Sequence, residues 1–233
     1  MAALRGLAAL AIVVGLAFPA GAQDRSRRDR APYASPTALI AAEIAFSQLA
    51  QEKGQWTAFR ETAAAEGEMF VPQRVNARAW LKGRANPPVS VKWQPHEVWM
   101  SCDGSAGITR GAWQRPNGVG FFSTVWRRQP LKRGQAPQYK WVLDQGDGLA
   151  QPLVPPEMIA GKVADCRRAA GPVPASPPPA GVDARDGASD DRSLQWSSWV
   201  WPDGRRQFSA WMWNGTAFDP VLQFSAAAPP PPG

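Results

Sequence analysis

Residues 89–147 read VSVKWQPHEVWMSCDGSAGITRGAWQRPNGVGFFSTVWRRQPLKRGQAPQYKWVLDQGD, and the pattern is that of consecutive strands. Asp103-Gly104 and Asn117-Gly118 are hairpin turn signals, because both supply backbone that tolerates positive φ. They join strands over about 106–115 and 120–129, and QYKWVLDQGD forms a fourth after a polar loop. Pro95 interrupts the first strand and predicts a bulge or an edge position there. The stretch is therefore an antiparallel meander.

Working outward toward the N-terminus, the periodicity turns helical. Ser35 is placed as an N-cap with Pro36 at the first helical position, and the helix runs to a stop at Gly54. Leu39, Ala42, Phe46, Leu49 and Ala50 recur on one face. Trp56, Phe59 and Ala63 continue the period in a second helix. A short strand near Met69 and a short helix from Ala77 to Leu81 follow. Toward the C-terminus, residues 150–191 are rich in Pro and end in DARDGASDD, the composition of a linker. Residues 192–226 return to strands in a Trp-rich meander turned at Pro202-Asp203-Gly204 and Asn214-Gly215, and 227–233 is a Pro-rich tail expected to be disordered.

The extreme N-terminus has the form of a secretory signal peptide over residues 1–22. Arg5 precedes an apolar run from Leu7 to Pro19, and Ala20-Gly21-Ala22 places cleavage before Gln23. Residues 23–36 are a basic segment expected to be disordered. The expected location is the periplasm or the medium, with no membrane span after cleavage. In that setting Cys102 and Cys166 favour a disulfide, which on the chain-entropy model would stabilise by about 4 kcal/mol. Two buried thiols or a metal pair are the alternatives. The net charge is +7, but the Arg residues are dispersed, so a nucleic-acid partner is not expected.

Two or three helices followed by a curved antiparallel sheet resemble the nuclear-transport-factor-2-like superfamily, which includes ketosteroid isomerases and SnoaL-like cyclases. The likeness is carried by ALIAAEIAFSQLAQEKGQWTAFRETAAAEGEMFVP, CDGSAGITRGAW, FFSTVWRRQP and YKWVLDQGD, and is nearest to exported members with no assigned activity. It implies an α+β class, with helices packed on a strongly curved antiparallel sheet as a cone over 37–149. It also implies an apolar pocket inside the cone and, in many members, a homodimer through the sheet.

The candidate pocket residues are Glu43, Trp56, Phe59, Phe70, Trp80, Trp99 and Trp126. On a helical wheel Glu43 falls at the core-facing stripe, where an ionised carboxylate is costly unless paired. An ion pair with Arg60 or Arg110 is the favoured expectation, and a pocket acid or base the alternative. His96, the only histidine, is a second candidate for proton transfer. Asp144 and Asp147 stand near a strand end, where a turn or cap role is expected. No cofactor or metal motif is present in the sequence. The leading expectation is a non-catalytic binder of a small apolar or amphipathic ligand. The runner-up is an isomerase, cyclase or hydratase using Glu43 or His96, and the third an envelope interaction module using the Trp-rich meander. That meander is expected either to extend the first sheet or to pack on its face, because three short strands alone bury too little.

Overall fold

The computed structural model describes residues 34–130, 138–167, 173 and 176–228. The stretch expected as a signal peptide, the basic segment up to residue 33 and the end of the tail lie outside the described residues.

Two helices open the described chain, α1 (Pro36–Lys53) and α2 (Gln55–Thr62). Gly54 separates them with φ 92°, a conformation that suits glycine. The elements β1 (Ala63–Phe70), β2 (Arg74–Asn76) and α3 (Ala77–Leu81) follow. The quoted stretch forms β3 (Lys92–Met100), β4 (Ala106–Arg115), β5 (Gly118–Arg128) and β6 (Tyr139–Leu149). Next come β7 (Ala160–Val163) and β8 (Asp183–Ala188), both within the segment expected as a linker. The chain ends in β9 (Leu194–Val200), β10 (Arg206–Trp213) and β11 (Phe218–Ala226).

The α+β cone is corrected by this arrangement. The molecule is mostly β, with two sheets and three helices among the described residues, and neither sheet closes on itself. The first sheet has seven strands in the order β2-β1-β6-β5-β4-β3-β7. It is mixed, because β1 pairs parallel to β6 and β7 parallel to β3. The second sheet is antiparallel in the order β11-β10-β9-β8. The physical reason for the difference is the partner of each sheet face. One face of the first sheet carries the helices over a core of Leu39, Phe46, Ala50, Val98, Met100, Trp126 and Trp141. The other face packs against the second sheet through Trp99, Ala106, Ile108, Val125 and Leu143, which meet Leu194, Trp196, Phe208, Ala210 and Leu222. Both faces of the first sheet are thus covered.

The sheets are joined by specific contacts as well as apolar burial. Arg74, nearly buried, bridges Glu68 and Asp183 at 2.9 Å each and donates to the Ser198 carbonyl. The Cys102–Cys166 disulfide is present and ties the end of β3 to the segment after β7. Beside it, Ser193 Oγ accepts from the Cys102 amide, and Asp103 and Asp191 each accept from the other's amide.

Alternation along β4 sends Ala106 and Ile108 toward the second sheet and Gly107, Thr109 and Gly111 toward the helices. Gly107 is required there, since a Cβ at that position would stand 2.1 Å from Leu39 Cδ1 of α1. That close approach seats α1 on the sheet and sinks Glu43 into the interface.

Candidate functional site

Glu43 is fully buried between α1 and the first sheet. The expected ion pair is corrected: its partners are neutral donors. Trp93 Nε1 donates to Oε1 at 2.7 Å, while Thr109 Oγ1 at 2.5 Å and Trp126 Nε1 at 3.1 Å donate to Oε2. Arg60 instead binds the carbonyls of Leu81 and Arg84, and Arg110 lies over the Phe121 ring. Burial pushes the Glu43 carboxyl up, and the hydrogen bonds from Thr109, Trp93 and Trp126 oppose that shift.

A cross-strand row carries the site outward from Glu43. Thr109 of β4 pairs with Thr124 of β5, which pairs with Asp144 of β6. Thr124 Oγ1 donates to Asp144 Oδ1 at 2.9 Å. Burial raises the Asp144 carboxyl from 3.8 to about 7, the nearby Glu43 carboxyl adds to the rise, and Thr124 opposes it. Two carboxyl groups therefore share one buried region, and no cation is among the causes of either shift. Such a pair titrates as a unit and tends to retain one proton.

The next rows along the strands form a cavity. Gly111, Phe122 and Gly146 are paired across β4, β5 and β6, followed by Trp113, Gly120 and Gly148. A Cβ at Gly111 would meet Phe122 Cε1 at 2.8 Å, and one at Gly120 would meet the Trp113 indole at 2.3 Å. The glycines thus let aromatic rings lie flat against the sheet. Above them is a cavity of about 320 Å³, open to solvent, lined by Phe46, Phe59, Trp93, Trp113, Phe122 and Asp144, with Gln55, Val91, Arg115 and Asp147 contributing to the wall. This is at the small end of the range for small-molecule sites, which are apolar with a few placed polar groups.

Two bulges deliver the decisive residues. The β3–β4 register shifts between Pro95 and Glu97, leaving His96 as the extra residue. Strict alternation would place Trp93 with Trp99 toward the second sheet; the bulge returns it to the helix face. The β5–β6 register shifts between Val125 and Trp126, so Val142 is the extra residue and Asp144 shares the helix face with Trp141. Of the candidate pocket residues, Phe59 lines the cavity, and Glu43 and Trp126 lie behind its wall. Trp56 and Trp80 pack edge to face at 5.7 Å between α2 and α3. Phe70 and Trp99 lie between the two sheets. Phe46, Trp93, Trp113 and Phe122 were not among the candidates, and Asp144 was assigned a turn role.

His96 is buried and does not line this cavity. It faces grooves formed with Leu153, Val154 and Pro156, and burial lowers its pKa. In the second sheet, Leu194 and Trp196 point inward, whereas Trp211, Trp213 and Phe218 form a separate cluster. Trp199 and Trp201 remain half-buried with ring centroids 6.0 Å apart. Among the described residues no helix is long and apolar enough to cross a membrane, and no group of three or more His, Cys, Asp or Glu side chains is placed to hold a metal. No protein-family model matches the chain, and no curated protein matches it.

Proposed function

We propose that this is an exported protein that binds a small amphipathic ligand in the aromatic cavity between α1, α2 and the first sheet. The observation that carries the reading is the cavity itself: five aromatic rings line it together with the half-buried Asp144. Rings supply apolar area at low entropic cost, and a single carboxyl fixes the orientation of a ligand that has one polar end. The polar contact is Asp144 rather than Glu43, which is held behind the wall by three donors. Export is supported by the N-terminal sequence and is compatible with the Cys102–Cys166 disulfide.

A proton-transfer enzyme is the second reading, favoured by the displacement of the Asp144 carboxyl to about 7 beside a second acid. His96 does not line this cavity and would take no part in such a site. The binder is preferred because aromatic rings dominate the lining, as in a site that holds a ligand by apolar contact.

Native mass spectrometry of the protein released from the envelope of its own cell tests the reading. The wild type is expected to carry a non-covalent small-molecule mass that Val91→Trp, which adds an indole to the lining, lacks. A wild type and variant that both fly as bare polypeptide, with export confirmed by an N-terminus at Gln23, would refute it.

A further inference from the structure

The cavity is locally acidic in a chain whose net charge is +7. Asp144 from β6 lines it and Glu43 from α1 stands behind the same wall. Opposing charge is scarce. From α2 the lining holds Gln55 and Phe59, and from the segment before β3 it holds Val91. From β4 comes Arg115, which is exposed at the mouth with its guanidinium 5.5 Å from the Trp113 ring centroid. Asp147, at the end of β6, is within electrostatic reach of Arg206. Among the described residues no basic side chain pairs with the buried Glu43 or the half-buried Asp144, so neither carboxyl has a countercharge there. Buried carboxylates are ordinarily paired or neutralised. Around Asp144 stand Phe46, Phe59, Trp93, Trp113 and Phe122, and the π-face of such rings is the negative end of the ring quadrupole.

We propose that the ligand is a small organic cation, an ammonium group carrying apolar substituents, held by the Asp144 carboxylate and the surrounding aromatic rings. This rests on the reading of the cavity as a ligand site and names the chemical class it selects. The ammonium supplies the missing countercharge, the rings cover its methyl or methylene groups, and the volume admits a ligand the size of choline or a simple arylalkylamine. Binding of a fixed cation holds Asp144 in its ionised form, so a proton leaves the carboxyl as the complex forms near neutral pH.

A matched pair of ligands tests this on the full mature chain: choline, and its uncharged carbon isostere 3,3-dimethylbutanol. The two have nearly the same shape and differ in charge. By calorimetry at pH 8, choline is expected to bind at least tenfold tighter. Choline affinity should rise about tenfold between pH 6 and pH 8, following the ionised fraction of Asp144, with Glu43 and Arg115 as the other charged groups near it. The alcohol should show no such rise. Asp144→Asn should bring the two affinities together, and its thermal unfolding should be recorded alongside to show that it is folded. Equal affinities in the wild type, or a tighter alcohol, would overturn the cationic assignment while leaving the cavity as a ligand site. Binding of neither compound, with bare protein in native mass spectrometry, would overturn both.

Discussion

Replacing Asp144 by Asn should make the protein more stable at alkaline pH. Asn keeps the shape and still accepts from Thr124 Oγ1, which now donates to Asp144 at 2.9 Å, but it cannot ionise. In the folded wild type the carboxyl holds its proton up to about 7, against 3.8 for an ordinary Asp. The folded state therefore binds more protons than the unfolded state between those values, and stability falls as pH rises through that window, then levels off above it. Each pH unit of the window costs about 1.4 kcal/mol, which sets about 4 kcal/mol as the upper figure. Asp144 is half-buried in the wall of an open cavity, so screening reduces the loss to about 1–3 kcal/mol. Glu43 remains in the variant but is coupled to Asp144, so the difference between the two proteins reports the Asp144 charge together with its effect on Glu43. Denaturant unfolding at pH 4 and pH 8 is the assay. The two proteins should be nearly equal at pH 4, and Asp144→Asn should be the more stable by about 1–3 kcal/mol at pH 8. A variant equal to or weaker than wild type at pH 8 would refute the reasoning, because it would mean that the carboxylate is already well accommodated.

Further outcomes follow from the same geometry. Glu43→Leu removes the acceptor of Trp93, Thr109 and Trp126 and should cost about 3–5 kcal/mol in denaturant unfolding, whereas Glu43→Gln retains an acceptor and should cost about 1 kcal/mol. Gly107→Val drives side-chain atoms into Leu39, which a Cβ alone would approach to 2.1 Å; a loss of about 3 kcal/mol with reduced helix content by circular dichroism is expected. Truncation after Asp191 uncovers Trp99, Ile108, Val125 and Leu143, each worth about 1.5–3 kcal/mol when buried. The remaining chain should lose its cooperative melting transition, and an unchanged melting temperature would show the second sheet to be an independent unit. Thiol counting under denaturing, non-reducing conditions should find no free cysteine in protein purified from its own cell without reductant.

The parts of the fold that declare themselves locally were legible. The Asp103-Gly104 turn stands where the hairpin signal put it, while the second hairpin turns one residue early, at Pro116-Asn117, with Gly118 already paired to Arg115; Pro95 does mark a bulge, and α1 runs between Pro36 and Gly54. The Trp-rich strands were expected either to extend the first sheet or to pack on its face, and they form a separate sheet packed on that face. What the sequence hid is non-local. The stretch AAAEGEMF of β1 pairs parallel to β6, a partner far along the chain, and its apolar start reads as a continuation of α2. β8, DARDGA, is an edge strand whose charged side chains suit an exposed edge, so its composition reads as a linker.

The site was half legible for the same reason. The helical wheel found the burial of Glu43, since helical period depends on sequence spacing alone. It could not find that Arg60 binds carbonyls and Arg110 lies on the opposite face, which leaves two indoles and a threonine as partners. Asp144 was misread because β6 breaks its alternation at Val142, and nothing in YKWVLDQGD marks that bulge. Trp93 had a readable signal in Pro95 two residues later, but the side of the strand to which the bulge would turn it was not determined.

A carboxyl group that holds its proton up to about 7 stands in the wall of an aromatic cavity. The most direct test of this is a ¹³C-NMR titration of the Asp144 side chain in the full mature protein. The expected midpoint is about 7 in the free protein, lower in Glu43→Gln as the neighbouring charge is removed, and lower again when choline is added to the wild type. A midpoint at the ordinary aspartate value near 3.8, unmoved by either change, would contradict it.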